Sequence, residues 1–175
     1  IWHQKQISRA EIARRAGLSR STVSEIISDL LETKLLAEVG DGPSRGGRRP
    51  ILLEFQDDAC VILGVDMGAT HVSVVLTDLR GHVYAWHHEN HPVRSDPEGT
   101  GELILKLCDR CLKARKGARR RLLGIGLAVP SPVDPRAPER LSGVVLPAWK
   151  GHRTLEDIFG DYEVPVFADN DANLG

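Results

Sequence analysis

Two clusters of polar residues each follow an apolar run, and their residue types suit the binding of phosphates and sugars. In the first, Asp66, Gly68 and Thr70 come directly after the apolar run 61–65. A tight hairpin with this pattern presents backbone amides and the Thr70 hydroxyl to phosphate oxygens, while the carboxylate reaches Mg²⁺ through water. An ordinary hairpin has the same pattern, so this cluster alone leaves both interpretations open.

The second cluster, 169–173, follows the apolar run 164–167 and contains two aspartates and two asparagines. A carboxylate at the end of a strand can act as general base toward a sugar hydroxyl. Turns rich in Asn and Asp are also common, so the pattern by itself does not separate a site from a turn.

The elements around these clusters predict an α/β domain with a mixed sheet. Apolar or alternating segments predict strands at 61–65, 72–77, 82–87 and 122–129, and an amphipathic pattern predicts a helix at 97–115. The order strand, hairpin, strand, helix, strand is typical of this fold class.

The first fifty residues have a different pattern, in which two helices are joined at a glycine. Ser8 and Glu11 form a capping box that predicts a first helix, and Gly17 is the left-handed residue expected to end it. Ser19 is then expected to cap a second helix over about 20–33.

The spacing of small and apolar residues across this turn predicts a helix-turn-helix. Ala13 lets the helices approach each other, and Val23 and Ile26 are expected to pack the second helix against the first. The second helix of this motif enters the major groove of DNA. Its polar face is expected to contact bases and phosphates through Ser19, Arg20, Ser21, Ser24 and Glu25. A two-helix hairpin with a polar outer face is the alternative.

Two short apolar segments after these helices, 35–39 and 51–55, predict the strands of a wing. The loop between them is rich in glycine, which lets a backbone approach DNA closely. Its Arg45, Arg48 and Arg49 are expected to contact phosphates or the minor groove. A flexible solvated linker is the alternative interpretation of the loop.

Charge and composition agree with a DNA-binding head over 1–55, a linker at 56–59 and a separate body over 60–175. Residues 1–50 contain nine Lys and Arg against six Asp and Glu, whereas the remainder contains fourteen against eighteen. No apolar run approaches the roughly 18 to 20 residues that a membrane span needs. Without a signal-peptide pattern either, a cytoplasmic protein with no membrane partner is expected.

Two groups of metal-ligating residue types are expected to be structural. Cys108 and Cys111 lie one helical turn apart with no second Cys or His pair nearby, which predicts a buried helix face rather than a metal or redox site. His87, His88 and His91 lie on a predicted strand or just after it, and adjacent strand residues point to opposite faces, so no metal site is expected there.

Two further features of the body have two interpretations each. The segment 113–121 contains six Lys and Arg residues. A solvated connection is expected there, and a second nucleic-acid contact is the alternative. Trp149 is either a core residue or the wall of a sugar site.

The order of these motifs resembles the ROK family of repressors, open reading frames and kinases, which has an actin-like, ribonuclease H-like ATPase fold. The head, ending in 47–50, resembles that of the family's repressors. The resemblance implies that 60–175 form the N-terminal lobe of that fold. In the body it is carried by the motifs at 64–70 with 78–81, 124–130 with 133–134, 146–151 and 170–173.

The resemblance also implies roles for individual residues. Asp66, Gly68 and Thr70 match the phosphate-binding hairpin, and Asn170 matches a residue that hydrogen-bonds sugar hydroxyls. Asp171 matches the catalytic base of the family's kinases, which also lies against the sugar. ATP with Mg²⁺ would be a cofactor only in a kinase. A structural Zn²⁺ is expected only in the family's second lobe, and no metal site is expected within these residues.

Three departures from the kinases' pattern bear on activity. Ala69 and His71 stand where the kinases usually carry a second glycine and a lysine. Val145 replaces the Asn expected before Leu146 and the Pro-x-Trp segment, which removes an expected sugar contact. Gly175 comes soon after the base motif, so we expect a longer protein whose second lobe completes the nucleotide and sugar sites.

The expected function is that of a sugar-responsive transcriptional regulator of carbohydrate metabolism, with repression as the expected direction. The head would bind operator DNA as part of a homo-oligomer. A sugar or sugar phosphate bound by the body would shift the equilibrium between DNA-competent and incompetent arrangements. The alternatives are an ATP-dependent sugar kinase that keeps a DNA-binding head, and a DNA-binding module whose body only forms oligomers.

Overall fold

The computed structural model describes residues 1–43, 49–133, 136, 146–150 and 155–173, except for the side chains of 155 and 156. The chain divides into two compact units, Ile1–Ala59 and Cys60–Gly175. Each unit has its own hydrophobic core. Among the described residues, no helix is long and apolar enough to cross a membrane.

The first unit combines two helices with an antiparallel sheet whose strand order is β1-β3-β2. The predicted helix-turn-helix and the two wing strands are therefore present. The sequence analysis missed β1, which is only two residues long and ends at the Ser8 cap. In chain order the elements are β1 (Ile7–Ser8), α1 (Arg9–Ala16), α2 (Arg20–Glu32), β2 (Leu36–Asp41) and β3 (Ile51–Phe55).

The ends of α1 and α2 are set by local hydrogen bonds. The Ser8 hydroxyl accepts the amide of Glu11 at 3.3 Å, and Gly17 ends α1 in the left-handed region with a φ of 66°. The Ser19 hydroxyl accepts the amide of Thr22 at 3.1 Å and caps α2. These caps are visible in the sequence, which is why both helices begin within a residue of their predicted positions.

The prediction that Ile26 packs α2 against α1 was wrong. Ile26 is 45% exposed. Successive helical residues are rotated by about 100°, and the helix is turned so that Ile27 rather than Ile26 faces the core. The core of the unit consists of Ala13, Val23, Ile27, Leu36 and Leu53.

The second unit is built on a mixed sheet of the strand order β6-β5-β4-β7-β8. The central strand β4 pairs antiparallel with β5 and parallel with β7, which pairs parallel with β8. The predicted α/β class with a mixed sheet is confirmed. The elements are β4 (Val61–Met67), β5 (His71–Thr77), β6 (Val83–Asn90), α3 (Pro97–Lys113), β7 (Leu122–Val129), α4 (Leu155–Phe159) and β8 (Val166–Asn170).

The apolar face of α3 packs on one side of this sheet. Leu63, Val65 and Met67 alternate along β4 with half-exposed residues and are buried in the same cluster as Cys108 and Cys111. The prediction of a buried helix face is thus confirmed. Burial raises the pKa of the Cys108 thiol to about 12 and also raises that of Cys111.

The histidines near the end of β6 do not converge. His87 and His88 are successive strand residues and therefore point to opposite faces. Nδ1 of His88 lies 2.9 Å from the Ser73 hydroxyl, whereas Nε2 of His91 lies 3.2 Å from a carboxylate oxygen of Asp96. Within the described ranges, no group of three or more potential metal-ligating side chains occurs.

The hairpin between β5 and β6 is closed by the buried carboxylate of Asp78. Its Oδ1 accepts the amides of Arg80 at 2.8 Å and of His82 at 2.9 Å, and its Oδ2 lies 2.8 Å from Nδ1 of His82. Burial acts to raise the pKa of Asp78, but the hydrogen bonds from His82 and Arg80 outweigh it and the pKa is lowered.

Replacing Asp78 with Asn should lower the free energy of unfolding at pH 7 by about 1–3 kcal/mol, because an amide cannot accept all three of these bonds. The folded pKa lies below the unfolded value, so the stabilisation is present above the unfolded pKa and is lost as the pH falls through the folded one. Urea denaturation should therefore show the wild type and Asp78→Asn converging below about pH 4. The exposed Asp161→Asn is the control, and a difference that stays constant down to pH 3 would contradict the assignment.

Candidate nucleic-acid interface and ligand site

The exposed face of α2 carries the residues that were predicted to contact DNA. Two of its serines are already bonded to the helix: Ser19 caps it, and the Ser24 hydroxyl donates to the carbonyl of Arg20 at 2.8 Å. Within the described part of the chain, the side chains of Arg20 and Glu25 have no hydrogen bond or ion pair. All five predicted residues are exposed: Ser19, Arg20, Ser21, Ser24 and Glu25.

The arginines of α1 differ from Arg20 because carboxylates hold them. Nη2 of Arg9 lies 2.8 Å from a carboxylate oxygen of Glu38. Arg14 and Arg15 both pair with Glu11. Arg20 is therefore the cation of the helical part that is most available to an anionic partner.

The base of the wing is closed by a backbone bond, since the amide of Gly42 donates to the carbonyl of Pro50 at 2.7 Å. A side chain at Gly42 would begin 3.1 Å from Cδ2 of Leu52, which explains the glycine at this close approach. Arg49 is exposed beside this closure. The other two predicted wing contacts, Arg45 and Arg48, lie outside the described residues.

In the body, His71 covers the hairpin predicted to bind phosphate. Nε2 of His71 lies 3.1 Å from Oδ2 of Asp66. A Cβ atom on Gly68 would lie 2.3 Å from Cε1 of His71, so glycine is needed to leave room for the ring. Thr70 is exposed, and its carbonyl accepts the amide of His91 at 3.0 Å. His71, which departs from the kinases' pattern, thus contacts both the carboxylate of Asp66 and the backbone of Gly68.

The parallel strands bring the two polar clusters to the same edge of the sheet. Asp66 on β4 is in register with Ala128 on β7, which is in register with Asp169 on β8. The two aspartates are therefore two strand spacings apart, about 10 Å. A groove of about 980 Å³ lies over this face and is lined by both aspartates and by Trp86 and Phe167.

Asp169 organises the second cluster, and the sequence analysis gave it no role. Its Oδ1 accepts Nδ2 of Asn173 at 3.0 Å and the amide of Asn170 at 2.7 Å, and these two bonds lower the pKa of Asp169. In the sequence, only the position of Asp169 at the end of a predicted strand pointed to a role in this cluster. The two predicted sugar contacts are the next residues along the chain. Asn170 is half-buried, and the exposed carboxylate of Asp171 accepts, among the described residues, only the amide of Ala172.

Trp149 is a core residue rather than an open wall. It is 5% exposed, and its indole Nε1 donates to the carbonyl of Val93 at 2.8 Å. The neighbouring Leu146 is fully buried. Val145, at which a sugar contact was expected to be lost, lies outside the described residues.

Comparison with known families and proteins agrees with both units. Residues 62–175 match the ROK family, and residues 3–40 match the IclR helix-turn-helix domain. The chain belongs to the ROK family. Over its whole length this ROK protein is 32% identical to the xylose repressor of Bacillus spizizenii and 31% identical to that of Bacillus subtilis. Over 129 residues, 74% of the chain, it is 30% identical to the DNA-binding transcriptional dual regulator NagC of Escherichia coli.

This ROK chain spans 45% of each of these two xylose repressors and 32% of NagC. The crystal structure of a ROK family transcriptional regulator, a homologue of the E. coli MLC protein, has a TM-score of 0.65 and 18% identity, and the match covers 94% of this chain and 41% of that one. A ROK family glucokinase from Streptomyces griseus in complex with glucose and AMPPNP has a TM-score of 0.51 and 20% identity over 65% of this chain and 34% of its own. The predicted fold, a helix-turn-helix followed by an actin-like lobe, is confirmed.

The substitution Gly68→Ala should lower the free energy of unfolding by roughly 1–3 kcal/mol, because the new methyl group would overlap the His71 ring. In a His71→Ala background the ring is gone, so the same change should be nearly neutral in urea denaturation. Gly126→Ala is the control, since no atom lies within 4 Å of the Cβ position at that strand glycine. An equal cost of Gly68→Ala in both backgrounds would mean that His71 does not cover the glycine.

Proposed function

We propose that this protein is a sugar-responsive transcriptional repressor of carbohydrate metabolism that binds operator DNA through α2 and the wing. The observation that carries the proposal is Arg20, an exposed cation without a partner among the described residues at the start of the second helix of a helix-turn-helix. The relatives that match the whole chain are named xylose repressors, whereas the glucokinase matches 65% of it. The repressors thus share both units with this chain.

Recognition of DNA would combine base contacts with phosphate contacts. The amino-terminal end of α2 would enter the major groove, where the guanidinium of Arg20 can donate two hydrogen bonds to guanine or hold a phosphate. Arg49 at the base of the wing would bind a phosphate of the flanking backbone. We expect a homo-oligomer to place two such heads on two half-sites, in the cytoplasm.

A sugar would act on this binding through the carboxyl edge of the body sheet. The exposed carboxylate of Asp171 and the amide of Asn170 suit the hydroxyl groups of a sugar, which need both acceptors and donors. If the sugar prefers one arrangement of the protein, it shifts the population toward that arrangement and so changes the affinity for DNA. Xylose is the first sugar to test, because the relatives that match the whole chain are named for it.

The DNA contact is tested by Arg20→Ala and Arg49→Ala, each measured by fluorescence anisotropy on duplexes from the region upstream of the protein's own gene. Arg20→Ala should weaken binding by about 1–3 kcal/mol, or roughly 5- to 150-fold, and relax the preference for the operator. Arg49→Ala should weaken binding to all duplexes and reduce the slope of log K against log salt by about 1. Lys5→Ala, another exposed cation of the head, is the control, and equal binding by all four proteins would refute the proposal.

The sugar response is tested on the full-length protein. The protein bound to the operator duplex is titrated with xylose and, for comparison, with N-acetylglucosamine. One of the two sugars should release the duplex at a characteristic concentration. Asn170→Ala should raise that concentration at least tenfold while leaving DNA affinity without sugar unchanged. If the same sugar concentration releases DNA from the wild type and from Asn170→Ala, the sugar binds at another site.

A sugar kinase is the second candidate, because the chain keeps Asp66, Thr70 and Asp171 at the positions that match the kinases. Against it stands His71, whose ring lies on Gly68 and within hydrogen-bonding distance of Asp66. Phosphoryl transfer from ATP to a sugar by the full-length protein, abolished in Asp171→Asn, would establish the kinase. If no phosphoryl transfer occurs but the sugar still releases DNA, the protein is a repressor without kinase activity.

A further inference from the structure

The connection between α3 and β7 concentrates much of the body's positive charge. The body, Cys60–Gly175, contains fourteen Lys and Arg residues, of which six lie within 113–121, and this segment contains no Asp or Glu. The rest of the body has eight Lys and Arg against fifteen Asp and Glu. We call this segment the basic loop; its cations are Lys113, Arg115, Lys116, Arg119, Arg120 and Arg121.

The basic loop is the largely solvated connection that was expected, but its turn is anchored in the body. Ala118 is 1% exposed and belongs to the body core. Gly117 reverses the chain with a φ of 75°, and a turn of 3₁₀ helix follows at Arg119–Arg121. Nη2 of Arg121 donates to the carbonyl of Lys116 at 3.3 Å. The backbone of the basic loop is therefore fixed by packing and hydrogen bonding.

Two of the guanidinium groups are held on aromatic rings. Cζ of Arg115 lies 3.9 Å from the ring centre of Tyr84, and Cζ of Arg119 lies 4.2 Å from that of Tyr162. Arg119 also donates to the carbonyl of Asp161 at 2.9 Å. Stacked arginines lose less conformational freedom when they bind an anion, which favours binding.

Two cations of the basic loop have no carboxylate partner among the described residues. Lys113 pairs with Asp109. Lys116 and Arg120 are exposed, and their side chains have no ion pair or hydrogen bond to any other described residue. Both line a groove of about 480 Å³ together with Lys113 and Arg119.

We propose that the basic loop is a second DNA-binding surface, which binds the phosphate backbone of duplex DNA. Fixed arginines beside exposed cations suit a row of phosphates, which carries one negative charge per roughly 1.7 Å of duplex. The loop has no large apolar residue, which disfavours an interface with an apolar core. The proposal rests on the proposed function, because it assumes that the protein binds DNA.

The test measures binding of a labelled 40-base-pair duplex of arbitrary sequence between 50 and 200 mM salt. It compares the wild type with a double variant that carries both Lys116→Gln and Arg120→Gln. Loss of two phosphate contacts should reduce the slope of log K against log salt by about 1.8 and weaken binding at 50 mM salt roughly tenfold. Both side chains are exposed, so circular dichroism should give an unchanged thermal transition.

The matched control is the double variant Arg94→Gln with Lys150→Gln, which removes the same charge from exposed positions outside the basic loop. It should keep the wild-type slope. Equal loss in both double variants would mean a general charge effect and would overturn the proposal. An unchanged slope in the loop variant, alongside weaker binding by Arg20→Ala, would overturn the second DNA-binding surface and leave the repressor intact. An unchanged slope and affinity in every variant would contradict the DNA-binding function as well.

Discussion

The pairing of β4 with an antiparallel strand on one side and a parallel strand on the other is the constraint on which the body depends. Because side chains alternate along a strand, the register that buries Leu63, Val65 and Met67 also turns Asp66 to the opposite face. A slip of one residue would bury the carboxylate of Asp66 in an apolar core at a cost of several kcal/mol. The core therefore determines where the candidate ligand site lies, and the core residues Val65 and Leu127 also line its groove.

The polar edge created by this register is held together by the chain's own hydrogen bonds. Asp66 is bonded to His71, and Asp169 is bonded to Asn170 and Asn173. The Asp66 side chain is 48% exposed, so a ligand can reach it, but a ligand that bonds to Oδ2 competes with the His71 ring for that oxygen.

The sequence predicted best what depends on neighbours a few residues away. Ser8, Gly17 and Ser19 set the helix ends through bonds within their own turns, so the boundaries of α1 and α2 could be read from the residue types. The choice between Ile26 and Ile27 for the core depends on how α2 is rotated against the rest of the head, which periodicity does not specify. The bond from Trp149 to Val93 spans 56 residues, so no local pattern could distinguish a core residue from a site wall.

The distribution of charge, rather than its sum, determines where this chain can attract a polyanion. Its net charge is −1, with 23 Lys and Arg against 24 Asp and Glu, so a uniform distribution would not attract a polyanion. At physiological salt, charges are screened beyond about 8 Å, and distant carboxylates contribute little at any one surface. The carboxylates of Glu11 and Glu38 pair with the arginines of α1 and offset their charge, whereas Arg20 forms no ion pair with a described residue. Local pairing therefore leaves the start of α2 positive in a chain that is close to neutral overall.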